Sequence, residues 1–98
     1  MKASVAIQVL PKVAETGEVI RIVDEVIAYI KSTGLHYYVG PFETTIEGDD
    51  YDQLMEVVAQ CQRVAVQAGA PAVSAYVKIA YRPEGGVLSI DEKITKHH

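Results

Sequence analysis

Apolar and polar side chains alternate through residues 3–10, ASVAIQVL, and this period of two predicts a strand that Pro11 ends. Val5, Ile7 and Val9 share one face of it; Ser4, Ala6, Gln8 and Leu10 share the other. The period then changes. Val19, Ile20, Val23, Val26, Ile27 and Ile30 recur at helical spacing, which predicts a helix over residues 17–33. Thr16 is the expected N-cap and Gly34 the expected glycine past the C-terminus. Residues 36–48 read as two short strands folded on the Gly40-Pro41 turn. A second helix is expected over residues 51–68. It carries Leu54, Val57, Val58, Cys61, Ala65 and Ala68 on its buried stripe, opens on an Asp50/Gln53 capping box, and stops at Gly69-Ala70-Pro71. Residues 72–82 alternate again as a long strand. Beyond the turn at Glu84-Gly85-Gly86, Ser89 and Glu92 match a further capping box, opening a short closing helix with Ile90 and Ile94.

The order β-α-β-β-α-β plus a tail is that of the split-βαβ, ferredoxin-like α+β sandwich. Two helices cover one face of a four-stranded antiparallel sheet, in one domain spanning residues 1–98. The other sheet face carries Ala6, Gln8, Leu10, Tyr76 and Lys78, a mixture apolar enough to predict an interface. Self-association, as a dimer or a dimer of dimers, is therefore expected.

Composition narrows the function. With a formal net charge of −4, the chain lacks the clustered basic residues of a nucleic-acid binder. It has no apolar run long enough to span a membrane and no secretory leader pattern, and its single cysteine, Cys61, forms no internal disulfide. Together these predict a cytoplasmic setting. A heavy-metal carrier of this fold needs a Cys-x-x-Cys pair, which is missing. An acylphosphatase-type loop needs an arginine after the first strand, where PKVAETG has none. An RNA-recognition sheet needs aromatics on both central strands, and the first strand has none. No Ser-His-Asp or Cys-His set stands out, and His36 reads as a loop or strand-edge residue. Neither a cofactor nor a metal is called for.

Chemistry concentrates in the middle of the chain. Tyr37 and Tyr38 offer flat walls, Thr44 and Thr45 offer hydroxyls that donate and accept, and Glu47 offers a carboxylate acceptor. Such a set suits a flat, nitrogen-rich, partly cationic small molecule. The same residues are also ordinary strand formers, and Glu47 near a helix start can serve the helix dipole alone. Strand alternation divides them: Thr44 faces one way, Thr45 and Glu47 the other. A site between sheet and helices selects Thr44; a site on the opposite face selects Thr45, Glu47 and Gln8.

The run GLHYYVGPFETTIEGDDYDQLMEVV resembles the thiamine-binding protein family of small ferredoxin-like domains. Its residues in that pattern are Pro11, Gly34, Tyr37, Gly40-Pro41, Thr44 and Ile46-Glu47-Gly48, and the ending IAYR, Gly-Gly, SIDEKITK is similar too. The resemblance implies a homo-oligomer, commonly a tetramer built from dimers, and a ligand such as thiamine or its hydroxymethylpyrimidine half. On that reading Glu47 accepts from the aminopyrimidine or offsets the cation, Thr44 or Thr45 bonds the ring, and Tyr37 or Tyr38 forms the wall. The expected role is that of a non-enzymatic binding protein. The alternatives are a regulatory or scaffolding oligomer without that ligand, and a small dimeric enzyme using a tyrosine or Glu47 as acid–base.

Overall fold

A computed structural model describes residues 1–95. The elements are β1 (Ala3–Pro11), α1 (Thr16–Ser32), β2 (His36–Val39), β3 (Thr44–Gly48), α2 (Tyr51–Gln67), β4 (Val73–Tyr81) and α3 (Ile90–Thr95). The strands form one antiparallel sheet in the order β2-β3-β1-β4, the ferredoxin-like arrangement expected from the element order. Lys96, the last residue of the expected closing helix, lies outside the described residues.

Side-chain alternation places Ala3, Val5 and Ile7 of β1 and Ile46 of β3 beneath α1 and α2, where all four are buried. The helices complete that core with Ile22, Val26 and Ile30 from α1 and Leu54, Val57, Cys61 and Ala65 from α2. The stripe on α1 is rotated from expectation. Ile22 is fully buried and Ile20 is 56% exposed, because the central ridge follows the i, i+4, i+8 row through residues 22, 26 and 30.

The α1 start also differs. Thr16 lies inside the first turn, and Glu15 occupies the cap position with extended backbone and no side-chain cap bond. Its carbonyl accepts from the Glu18 and Val19 amides, so the turn closes on backbone alone. The α2 start is as expected: Asp50 Oδ1 accepts from the Gln53 amide at 3.0 Å. Gly34, with φ +76°, ends α1 in the left-handed region.

The outward sheet face is only partly bare. After β4 the chain turns at Gly85 and Gly86, and the Val87 amide donates to the Met1 carbonyl. This sends α3 back over one end of the face, opened by the reciprocal Ser89/Glu92 box. Beneath α3, Ser4 and Glu47 are buried although they point away from the main core. The opposite end of the face stays open, and Tyr76 there is 68% exposed.

Candidate functional site

Register fixes which candidates meet. On the outward face one row runs His36, Glu47, Ser4, Ala80 across the four strands, and the next runs Tyr38, Thr45, Ala6, Lys78. Gln8 opposite Tyr76 continues the series. On the inward face Tyr37 lies opposite Ile46, and Val39, Thr44, Ile7 and Val77 form a row. By register the sheet thus separates Thr44 and Tyr37 from Tyr38, Thr45, Glu47 and Gln8, although Gln8 also borders the cavity that Thr44 lines, and among the described residues no single pocket gathers all six.

Glu47 is 3% exposed. Its Oε2 accepts from the Ile90 amide at 2.8 Å, so the carboxylate serves a helix start, though that of α3 rather than the adjacent α2. Its Oε1 lies 3.9 Å from His36 Nε2, and His36 Nε2 lies 3.7 Å from Asp91 Oδ1. The partner of Glu47 is 43 residues away along the chain, so local sequence spacing carries no sign of it.

Two hollows adjoin the candidates. A cavity of about 260 Å³ opens between α1 and the Val39–Thr44 end of the sheet. Its walls are mainly apolar: Ile7, Val23, Ile27 and Phe42 contribute, with Thr44 among the lining residues. The Thr44 side chain has no hydrogen bond to another described residue, so its hydroxyl is available to a guest. Gly40 forms the lip. Its amide donates to the Glu43 carbonyl at 2.9 Å, and a Cβ there would sit 2.9 Å from that same oxygen. The tight approach is open only to glycine, which accounts for the Gly-Pro step visible in the sequence.

The second hollow lies on the outward face beside α3, with a more polar part and a more apolar one. Ser4, Thr45, Lys78 and Lys93 line one part; Tyr38, Phe42 and Ile94 line the part that continues past Thr45. Glu43 reaches over this face to pair with Lys78 Nζ at 2.7 Å. Local sequence pattern does not mark Glu43, Phe42, Lys78 and Lys93 as neighbours, because the turn and the return of α3 bring them together only in three dimensions.

Comparison with known proteins matches the same architecture. The family model described as thiamine-binding protein aligns with residues 5–98. The chain belongs to the thiamine-binding protein family. A UPF0045 protein of Clostridium perfringens is 45% identical over 94 residues, covering 96% of this chain and 95% of the relative. A UPF0045 protein of Mycobacterium bovis is 39% identical over 83 residues, covering 85% and 79%. Among solved structures, a domain of unknown function from Bacillus cereus superposes with a TM-score of 0.87 at 40% identity, covering 100% of this chain and 91% of that one. A Thermotoga maritima protein, described as a candidate for thiamine biosynthesis or salvage, superposes at 0.86 with 35% identity and complete coverage of both chains. The mainly apolar cavity and the α3-covered face are the hollows that adjoin the candidate residues in this family member. Among the described residues no helix is long and apolar enough to cross a membrane.

Proposed function

We infer that the protein is a non-enzymatic binding protein for thiamine or its hydroxymethylpyrimidine half, seated in the cavity between α1 and the sheet. The observation that carries this reading is the Thr44 hydroxyl, without a hydrogen bond to another described residue, in a mainly apolar cavity whose lining also includes Gln8 and Glu43. An aminopyrimidine is flat, with few polar atoms to satisfy. Apolar walls remove its faces from water, and one hydroxyl that both donates and accepts can register the ring. A cavity of about 260 Å³ falls just below the range of small-molecule pockets, which starts at about 300 Å³, and so favours a single ring over a larger ligand. Membership of the thiamine-binding family and the thiamine-related description of the Thermotoga relative support the ligand class. A non-enzymatic role is supported by Glu47, the buried acid of the set, whose carboxylate is spent on a backbone amide.

Self-association through the open end of the outward face belongs to the same reading. Leu10, Gln8 and Tyr76 lie beyond the reach of α3, and a dimer, or a dimer-of-dimers tetramer, would cover them.

Calorimetric titration with thiamine and with hydroxymethylpyrimidine tests the proposal. Saturable binding that falls about tenfold or more in Thr44→Val and is unchanged in Thr45→Val is expected. Loss with Thr45→Val alone would move the site to the outward face, and no heat at millimolar ligand would remove this ligand class. Sedimentation should give at least a dimer that Tyr76→Lys weakens; a monomer at micromolar concentration refutes the interface.

A further inference from the structure

Between Thr45 on β3 and Lys78 on β4, the outward row holds only Ala6 of β1. Two strand spacings set the flanking residues about 10 Å apart, and the lone methyl between them leaves a trough. Ser4, on the same face of β1, and Lys93 of α3 line it too, and it encloses about 310 Å³. Past Thr45 the hollow continues along Tyr38, Phe42 and Ile94. Phe42 there is 78% exposed, an aromatic ring left largely in water. The reading that seats a ring under α1 makes no use of Ser4, Lys78 or Lys93.

In the trough hydrogen-bond donors outnumber acceptor charges. Ser4 is only 4% exposed, yet its hydroxyl has no hydrogen bond to another described residue. Among the described residues no sealed side-chain oxygen lacks a partner, so this hydroxyl opens on the trough. The Thr45 hydroxyl is likewise unbonded within the described chain. Two ammonium groups join them, and the one carboxylate in the lining is that of Glu43. Glu43 Oε1 lies 2.7 Å from Lys78 Nζ, where it already shows an oxyanion seated against this lysine. Lys93 has no ion pair with another described residue. Glu47, beside Ser4 in register, turns its Oε2 to the Ile90 amide and is not part of the lining.

We propose that the outward hollow is a second binding site, for a small phosphate monoester that carries an aromatic group. Lys78, Lys93 and the Ser4 and Thr45 hydroxyls take the phosphoryl oxygens, and Tyr38 and Phe42 take the ring. Two ammonium groups and two hydroxyls exceed what the two oxygens of a carboxylate can use, whereas a phosphoryl group offers three acceptor oxygens and nearly two charges at neutral pH. Inorganic phosphate would satisfy the donors but leave Phe42 uncovered. Glu43 competes for Lys78 as an internal occupant. Its pair with Lys78 is exposed and therefore weak, so an incoming dianion displaces it at small cost.

Amide NMR titration of the full chain at constant ionic strength tests the site, with phenyl phosphate, inorganic phosphate and benzoate as probes. Phenyl phosphate is expected to give saturable shifts at Ser4, Thr45, Lys78 and Lys93, with weaker binding of the other two probes. Glu43→Gln should tighten phenyl phosphate by about threefold, by removing the competitor. Lys78→Gln and Lys93→Gln should each weaken it by about three- to tenfold. Phe42→Ala should bring it down to the level of inorganic phosphate. Benzoate binding as tightly as phenyl phosphate overturns the phosphate assignment. Absence of saturation at millimolar phenyl phosphate overturns the site, as do shifts centred on Thr44 or full affinity in both lysine variants. These surface substitutions leave the core intact, and the wild-type titration decides the matter even if one variant fails to fold. Either outcome leaves the cavity under α1 to its own titration.

Discussion

Glu47 and Ile90 are joined across 43 residues by one buried hydrogen bond of 2.8 Å, from the Ile90 amide to Glu47 Oε2. Removing the acceptor leaves that amide buried without a partner. Glu47→Ala is expected to cost about 1–3 kcal/mol, whereas Glu47→Gln keeps an acceptor oxygen and costs less. Urea unfolding checks the order. A Glu47→Ala variant of wild-type stability that failed to bind ligand would instead make Glu47 a ligand contact.

Gly86 and Gly34 form a second contrast. Both have positive φ, but a Cβ on Gly86 would lie 2.7 Å from the Met1 carbonyl oxygen, while one on Gly34 meets nothing within 4 Å. Gly34→Ala should cost about 1–2 kcal/mol from the left-handed backbone alone. Gly86→Ala should cost more than that and also loosen α3, because the Val87 amide bonds to the same Met1 carbonyl. Melting temperatures of the two variants, with proteolysis at Lys93, would distinguish them.

Cap substitutions should separate the two long helices. Asp50→Ala removes a formed cap bond and is expected to lower stability by about 1 kcal/mol, whereas Thr16→Ala removes none and should change it by a few tenths at most. Equal losses in the two unfolding midpoints would contradict the different starts of α1 and α2.

Burial pushes the Cys61 thiol up to about 11. In the unfolded chain the thiol ionises first, so between about pH 9 and pH 11 the unfolded state carries fewer protons and stability falls with rising pH. The loss attributable to Cys61 by pH 11 is roughly 2 kcal/mol. Cys61→Ala or Cys61→Ser should flatten that limb of the stability profile, and native Cys61 should resist alkylation at pH 8 until the protein unfolds.

Periodicity was enough to read the elements and their order, because each long element buries one face and the burial imposes the period. Its limits lie where partners are remote. Ile20 has the right spacing for the α1 stripe yet faces outward, because the buried row of α1 runs through Ile22, Val26 and Ile30. Alternation correctly separated Thr44 from Thr45 and Glu47. It gave no sign that the tail would fold back over Glu47, since the bond to Ile90 depends on a turn pinned by Met1 rather than on any local pattern.

The β1–β4 ladder sets Ala3 opposite Tyr81 and Pro11 opposite Val73, so the central strand finds its longest partner near the other end of the chain. During synthesis β1 emerges first, then waits with one edge unpaired until β4 clears the ribosome. Closing so large a loop costs entropy before any pairing repays it, which makes the final sheet closure slow relative to helix formation. Until then the nascent chain presents an apolar, half-paired strand, and the interval before Val73 appears is when it is most exposed to mispairing with another chain.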